Sequence, residues 1–315
     1  MGEPAGIGAE IAVRAWHALR LTGPEFVLID DVTRLIGAPL QRVEQPREAR
    51  FAEALPVLHR PLPRPAVAGH PSPATAAAVI AAIETAVDMA RAGLVSGIVT
   101  NPIQKSVLTA AGFAHPGHTE FLGALAGTGV PPVMMLACPE LRVVPVTVHE
   151  PLARAIARLT TDLIVEHARV THAALIRDFG IAAPRLAIAG LNPHAGEAGT
   201  LGGEEAAIIA PAVAALRTLG IAASGPWPPD TMFTALSRPR YDAAICMYHD
   251  QALIPIKTLD MAGGVNVTLG LSIIRTSPDH GTALDIAGQG IASAESLIAA
   301  IRLAANIARH RRTLA

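Results

Sequence analysis

The sequence predicts an α/β fold with a largely parallel sheet, and three observations carry that reading. Its 315 residues amount to about two domains at roughly 150 residues each. Hydrophobic residues make up 51% and charged ones only 16%, enough apolar material for a sizeable core without disulfides or a structural metal. Short apolar runs alternate with longer Ala-rich segments, as buried strands alternate with covering helices.

The strand candidates are EFVLID (25–30), GLVSGIVT (93–100), VMMLAC (133–138), RVVPVTV (142–148), RLAIAGL (185–191) and DAAICM (242–247). Several are rich in Val and Ile, and most are bounded by polar or turn residues. Between them, 75–93 reads as a helix with Thr75 as N-cap and Gly93 at its end. Likewise 160–180 starts at Thr160 and ends at Gly180, and the last helix is expected over 293–311. Residues 56–73 hold six prolines and read as an irregular surface connection. No linker composition marks a boundary, which implies a chain that crosses between domains.

Composition also excludes function classes. Lys and Arg total 25 against 26 Asp and Glu, so no basic excess is available for a nucleic-acid backbone. Aromatic residues, at 3%, are too few for a base-stacking platform. Cys138 and Cys246 both lie inside apolar runs, which fits buried thiols in a reducing compartment. Two uncharged stretches, 65–83 and 121–139, are interrupted by prolines or by Gly-Thr-Gly, so no membrane span is expected. Nothing resembles a signal peptide. The expectation is a cytoplasmic globular protein with neither nucleic-acid nor membrane partner.

Position singles out three of the 12 histidines. His149 ends RVVPVTVH, His194 sits in NPHAG after RLAIAGL, and His249 follows DAAICMY. Each lies just beyond the carboxyl end of a predicted buried strand, the edge of α/β sheets where ligand sites gather. Separately, each resembles an isolated loop histidine. Together, three imidazoles at one edge could form a metal site with an open position.

Other segments offer weaker signals. GEPAGIGAE (2–10) is a Gly-rich turn entering a helix, able to present backbone N–H groups to an anion. Lys257, Asn266 and Arg275, nine residues apart at expected loop or strand ends, suit a phosphate monoester. In HGTALDIAGQGIA (280–292), Gly281 would let backbone approach a flat ligand, and Asp285 could accept from a ribose diol. HPGHTEFLG puts His118 and Thr119 just before a helix, and TNPIQK brings Lys105 to the same strand-end edge.

Taken together, GEPAGIGAEI, TNPIQK, PGHTEFL, LNPHAGE, MYHDQALIPIK, GVNVTLGLSIIRTS and DHGTALDIAGQG resemble the 4-hydroxythreonine-4-phosphate dehydrogenase family, in that family's order from residue 2 to about 300. HGTALDIAGQGIA also resembles the adenosine-binding loop of isocitrate and isopropylmalate dehydrogenases. The resemblance implies two α/β/α domains around an interdomain cleft: 1–120 with 270–315 binding NAD, and 121–269 for metal, substrate and dimerisation. It assigns His149, His194 and His249 to a divalent metal, zinc foremost, with cobalt, manganese or magnesium as alternatives. Substrate falls to His118, Thr119, Lys257, Asn266 and Arg275, the last three near its phosphate. NAD falls to His280, Gly281, Thr282, Ala283, Asp285 and Gly288, with Asp285 favouring NAD over NADP. Lys105 and Asp250 are the candidate proton acceptors. A homodimer with a shared active site is implied. Two departures from the family pattern stand out. The chain begins one residue before GEPAGIG, where the family usually has an apolar strand, and Glu3 and Ala9 replace the more usual Asp and Pro.

The implied reaction oxidises the C3 hydroxyl of 4-phosphohydroxy-L-threonine and then loses carbon dioxide, in pyridoxal 5′-phosphate biosynthesis. Alternatives are a catabolic paralogue acting on threonate or erythronate 4-phosphate, and a non-catalytic metal-binding module.

Overall fold

A computed structural model of the chain describes residues 1–115, 117–126 and 129–314, apart from the side chains of His118 and Leu314. It divides into two compact units. One comprises 1–132 with 271–308, the other 133–270 with 309–315.

The first unit enters through the turn at 2–7 directly into helix α1 (Gly8–Leu19). Ile11, Trp16 and Leu19 bury one face of α1, and the Trp16 indole donates to Phe51 O at 2.8 Å. Strands β1 (Leu28–Asp30), β2 (Leu40–Arg42) and β3 (Leu55–His59) form a parallel sheet in the order β1-β3-β2. The central strand β3 therefore overlaps the start of the proline-rich 56–73 segment, which its composition predicts to be irregular. Pro56 is tolerated because Leu55 N and Val57 O make the bonds toward β2, while pairing with β1 begins only at Val57. Beyond β3, that segment carries only an isolated bridge between Val67 and His70 before a short 3₁₀ turn at Pro73–Thr75.

Helix α2 (Ala76–Arg91) follows. Ser72 rather than Thr75 caps its lead-in turn, since the Thr75 hydroxyl is spent on Ser72 O at 2.9 Å. Gly93, with φ +71°, ends the segment as expected. By length and composition alone, Pro73–Arg91 could cross a membrane. Here Val79, Ala82, Ile83 and Val87 are buried on its inner face. Strand β4 (Ile98–Val99) and helices α3 (Lys105–Ala110) and α4 (His118–Ala126) complete this stretch.

The second unit contains β5 (Val133–Cys138), β6 (Leu141–Pro145), α5 (Leu152–Arg158), α6 (Thr161–Arg177), β7 (Arg185–Ala189), α7 (Ala210–Thr218), β8 (Ala222–Trp227), α8 (Pro229–Met232), β9 (Ala243–Cys246), α9 (His249–Leu259) and β10 (Val265–Leu269). Its strands run in the order β10-β5-β6-β9-β7-β8. Pairing from β6 through β9 and β7 to β8 is parallel, while β10-β5 and β5-β6 are antiparallel. The mixture follows from connection length: two residues join β5 to β6, enough for a hairpin and far too few for a crossover. All four residues of β9 are buried, as a strand covered on both faces requires.

Thr160 caps α6 through Leu163 N at 3.2 Å, as its sequence predicts. At the other end, buried Asp178 accepts from Arg177 and Arg311, each at 2.7 Å through Nε. Burial alone would raise the Asp178 carboxyl, but the two guanidinium groups hold it below the usual carboxylate range. The chain then supplies the first unit with β11 (Arg275–Pro278), parallel to β4, and with the start of α10 (Glu295–Leu314), whose Leu297 and Ile301 enter that unit's core.

Candidate functional site

In the second unit, β6, β9 and β7 are neighbours in that order, and the segments following them carry His149, His249 and His194. Side chains lock these ends together. The Thr147 hydroxyl donates to Met247 O at 2.9 Å, tying the β6 end to the β9 end. Gln251, 6% exposed, accepts from Met247 N at 2.6 Å and donates to Gly190 O at 2.7 Å, tying β9 to β7.

His149 adopts φ +51°, and its ring centroid stands 5.6 Å from that of His249. His249 opens α9 with Nδ1 at 2.7 Å from Asp250 Oδ1. A carboxylate on Nδ1 favours the proton there and leaves Nε2 as the electron-pair donor, the support metal-binding histidines commonly have. Two imidazoles bound to one zinc at about 2.0–2.1 Å would put their ring centres about 5 Å apart. The His149–His249 pair thus fits a divalent metal with imidazole ligands.

His194 lies in the turn after β7, where residues 194–198 all have positive φ. That turn is held by Glu205, a buried acid at the start of a π-helical turn (Glu205–Ile209) leading into α7. Its carboxylate accepts from Leu191 N at 2.8 Å, Asn192 N at 2.7 Å and Asn192 Nδ2 at 2.9 Å. Burial alone would raise the Glu205 carboxyl, and these bonds hold it below its ordinary range instead. A Cβ on Gly196 would stand 2.6 Å from Glu205 Oε2, so no side chain fits there. Among the described residues no three His, Cys, Asp or Glu side chains gather into a metal-holding group. The structure therefore brings His149 and His249 together and leaves His194 outside that pair, after the neighbouring strand.

A shallow, open groove runs along α9, lined by His249, Asp250, Leu253, Ile254, Lys257 and Thr258. Lys257 sits inside α9 rather than at a loop or strand end, about two turns beyond His249 on one face. Asn266 is the second residue of β10, paired with Leu136.

Arg275 belongs to the first unit, as the first residue of β11. It is buried, and its guanidinium donates to Thr100 Oγ1 at 2.8 and 3.2 Å. Burial lowers its pKa to about 10, which leaves it cationic at neutral pH.

Three sequence motifs interlock in this unit. Ile7 N donates to Thr282 O at 3.2 Å, Asn101 Nδ2 to Gly8 O at 3.3 Å, and Thr282 Oγ1 to Gln104 Oε1 at 3.2 Å. Lys105 is exposed at the first position of α3. A Cβ on Gly117 would lie 3.5 Å from Lys105 Nζ and 3.1 Å from Glu120 Oε2, so both side chains close over that glycine. His118 and Thr119 are the first two residues of α4 rather than its approach, and Thr119 is half-buried.

The segment 281–290 is a series of turns, with positive φ at Ala283 and Gly288. Asp285 is exposed, and space beside Gly281 is open. His280 Nδ1 is 2.9 Å from Gly281 O, while its Nε2 is buried without a hydrogen-bond partner. An orphaned ring nitrogen beside an open backbone stretch fits a dinucleotide that brings its own donors.

Comparison with known proteins gives the lineage. A family model described as pyridoxal phosphate biosynthetic protein PdxA matches residues 18–304. The chain belongs to the PdxA family. It is 57% identical to 4-hydroxythreonine-4-phosphate dehydrogenase of Caulobacter vibrioides, over 98% of this chain and 96% of that one. The crystal structure of 4-hydroxythreonine-4-phosphate dehydrogenase from Klebsiella pneumoniae superposes with a TM-score of 0.89 at 40% identity, covering 98% of each chain. A terephthalate 1,2-cis-dihydrodiol dehydrogenase from Burkholderia xenovorans is more distant, with a TM-score of 0.65 at 30% identity over 97% of this chain and 96% of its own. The resemblance drawn from the seven motifs is thus the family that the comparison finds.

Sequence reasoning missed Thr147, Gln251 and Glu205. The legible signal was for Glu205: an acid directly after a Gly-rich turn and ahead of an apolar helical run is well placed to receive backbone N–H groups.

Proposed function

We propose that the chain oxidises the C3 hydroxyl of 4-phosphohydroxy-L-threonine with NAD and that the product loses carbon dioxide to give 3-amino-2-oxopropyl phosphate, a step toward pyridoxal 5′-phosphate. The observation that carries this reading is the open groove along α9, which joins an imidazole supported by a carboxylate to a lysine on one helix face. One end suits a polarised hydroxyl and the other a phosphate.

In this reading His149, His249 and His194 would hold the divalent metal, zinc foremost, which supplies polarisation of the hydroxyl oxygen and stabilisation of negative charge on it. Asp250 orients His249 through Nδ1. Lys257 and Arg275 bind the phosphate, so that binding energy remote from C3 positions the reacting carbon. His118, Thr119 and Asn266 complete the substrate contacts. Lys105 or Asp250 would accept the hydroxyl proton; NAD, when bound, would supply the acceptor for the C3 hydride, and the resulting β-keto acid would lose its carboxylate as carbon dioxide. His280, Gly281, Thr282, Ala283 and Gly288 would hold the cofactor, and Asp285 would accept from its adenosine ribose. A homodimer with a shared active site belongs to the same reading.

An NADH-production assay with zinc, cobalt or manganese tests the reading. Turnover is expected with 4-phosphohydroxy-L-threonine. Turnover only with threonate or erythronate 4-phosphate would indicate a catabolic paralogue, and none with any of these substrates would overturn the dehydrogenase assignment.

A further inference from the structure

Strand β9 parts from its two neighbours in different ways. On the β6 side the pairing is kept to the end. Val143, Val144 and Pro145 lie opposite Ala244, Ile245 and Cys246, and Val146 N then donates to Cys246 O at 2.8 Å. The Thr147 hydroxyl adds one more tie, to Met247 O. On the β7 side the pairing ends where Ile188 meets Ile245. The same register carried two steps further would oppose Gly190 to Met247. The side-chain amide of Gln251 stands between them instead, accepting from Met247 N at 2.6 Å and donating to Gly190 O at 2.7 Å.

A side-chain amide offers a donor and an acceptor in one plane, as a peptide group does, so it can take a peptide's place in a ladder. Strands bonded directly lie about 4.7–4.9 Å apart. Two hydrogen bonds in series with an amide between them hold two chains farther apart than that. Gln251 is therefore a wedge as well as a tie. It is the third residue of α9 and is buried, so removing the amide would leave Met247 N and Gly190 O without the partner it gives them.

The wedge is mechanically connected to His194. Gly190 is held on its other side by Trp227 O of β8, to which its N–H donates at 2.7 Å. A Cβ on Gly190 would stand 3.0 Å from both Cα and Cβ of Ala195, so the residue after His194 packs directly on this glycine. Glu205 shapes the turn that follows through Leu191 N and Asn192 N. Gln251 sets how far that turn lies from β9. The zipped side of β9 is the side on which the His149 and His249 rings meet at 5.6 Å, and the wedged side is the one that leads to His194.

We propose that Gln251 is a positioning residue for metal capture, its amide setting the separation between His194 and the His149–His249 pair. The proposal rests on the reading that these three histidines hold one divalent metal. Calorimetric titration of the full-length chain with zinc tests it, with denaturant unfolding run alongside to show that each variant is folded. Gln251→Met, which keeps the length and loses both hydrogen bonds, is expected to weaken zinc about 10–100-fold, the scale of an outer partner of a metal ligand. Gln251→Glu keeps an acceptor for Met247 N and gives Gly190 O no proton at neutral pH; it should weaken zinc in the same direction and serves if the Met variant fails to fold. The visible spectrum of the cobalt(II) complex reports the ligand arrangement, and in Gln251→Met it should move toward that of His194→Ala.

A double-mutant cycle separates positioning from a general structural role. In the His194→Ala background, where His149 and His249 still offer two imidazoles, Gln251→Met should change zinc affinity by less than about twofold. Equal weakening in both backgrounds overturns the proposal, as does unchanged zinc affinity in Gln251→Met when His194→Ala alone weakens it; both results leave the three-histidine reading standing. Unchanged zinc affinity in His194→Ala overturns that reading, and the proposal with it.

Discussion

The strand-end region of the second unit and the interlocked turns of the first unit are built on opposite plans. Around β6, β9 and β7, the candidate chemistry resides in side chains, one histidine following each strand, while Thr147, Gln251 and Glu205 fix the backbone beneath them. Around the opening turn and the 280–288 segment the relation is reversed. There the proposed binding surface is backbone, and side chains such as Asn101 and Thr282 are spent on holding one turn to another. A side-chain site should fail when one atom group is removed. A backbone cradle should lose only a share of its affinity with each substitution, because many peptide groups divide the work.

The largest expected effect tests the first half of that contrast. His249→Ala should cost at least a hundredfold in kcat/KM and in metal retention, since even outer partners of metal ligands are worth about 10–100-fold. Metal analysis of the purified variant checks it, with NAD affinity measured alongside and expected to hold. His194→Ala should also abolish metal retention, and unchanged metal content would remove His194 from the site.

Next in size is the support beneath the histidines. Glu205→Ala strands two half-buried backbone N–H groups and leaves the Asn192 amide only Glu204, so denaturant unfolding should show a loss of about 2 kcal/mol.

A third test lies outside both regions and serves as their control. Asp178 is held below its ordinary range in the folded chain, so its contribution is present above about pH 4 and is lost as pH falls through the folded value. Melting temperature should drop over that acid interval in the parent and follow a flatter course in Asp178→Asn, with no change in cofactor preference at neutral pH. Smallest is Asp285→Ala, which should erode the preference for NAD over NADP by about tenfold, the equivalent of about 1.4 kcal/mol. Equal use of NADP by the parent would rule out that role for Asp285.

What could be read in the sequence follows the same division. Strands β5, β7 and β9 were visible because burial on both faces writes a continuous apolar run. Strand β3 was hidden by Pro56, whose missing N–H falls where no partner is needed, and β8 by a composition containing Gly225 and Pro226. Histidines announce themselves by type, so His149, His194 and His249 were legible as three strand-end groups, of which the structure pairs only His149 with His249. The left-handed path through 194–198 was not legible, because four of its five residues are not glycine and the acid that holds the preceding Leu191 and Asn192 lies further along the chain at Glu205. Lys257 shows the same limit: its chemistry was legible, but its place inside α9 was not.

The discontinuity of the first unit governs the order in which the protein can mature on the ribosome. Residues 1–132 emerge first, yet β4 has no parallel neighbour until β11 is made, and Leu297 and Ile301 reach the same core later still. The middle of the chain, 133–270, is contiguous and has its whole sheet available as soon as β10 is out. The half synthesised second can therefore close first, while the amino-terminal half waits with apolar surface uncovered, the interval in which a nascent chain is most exposed to aggregation and most in need of a chaperone.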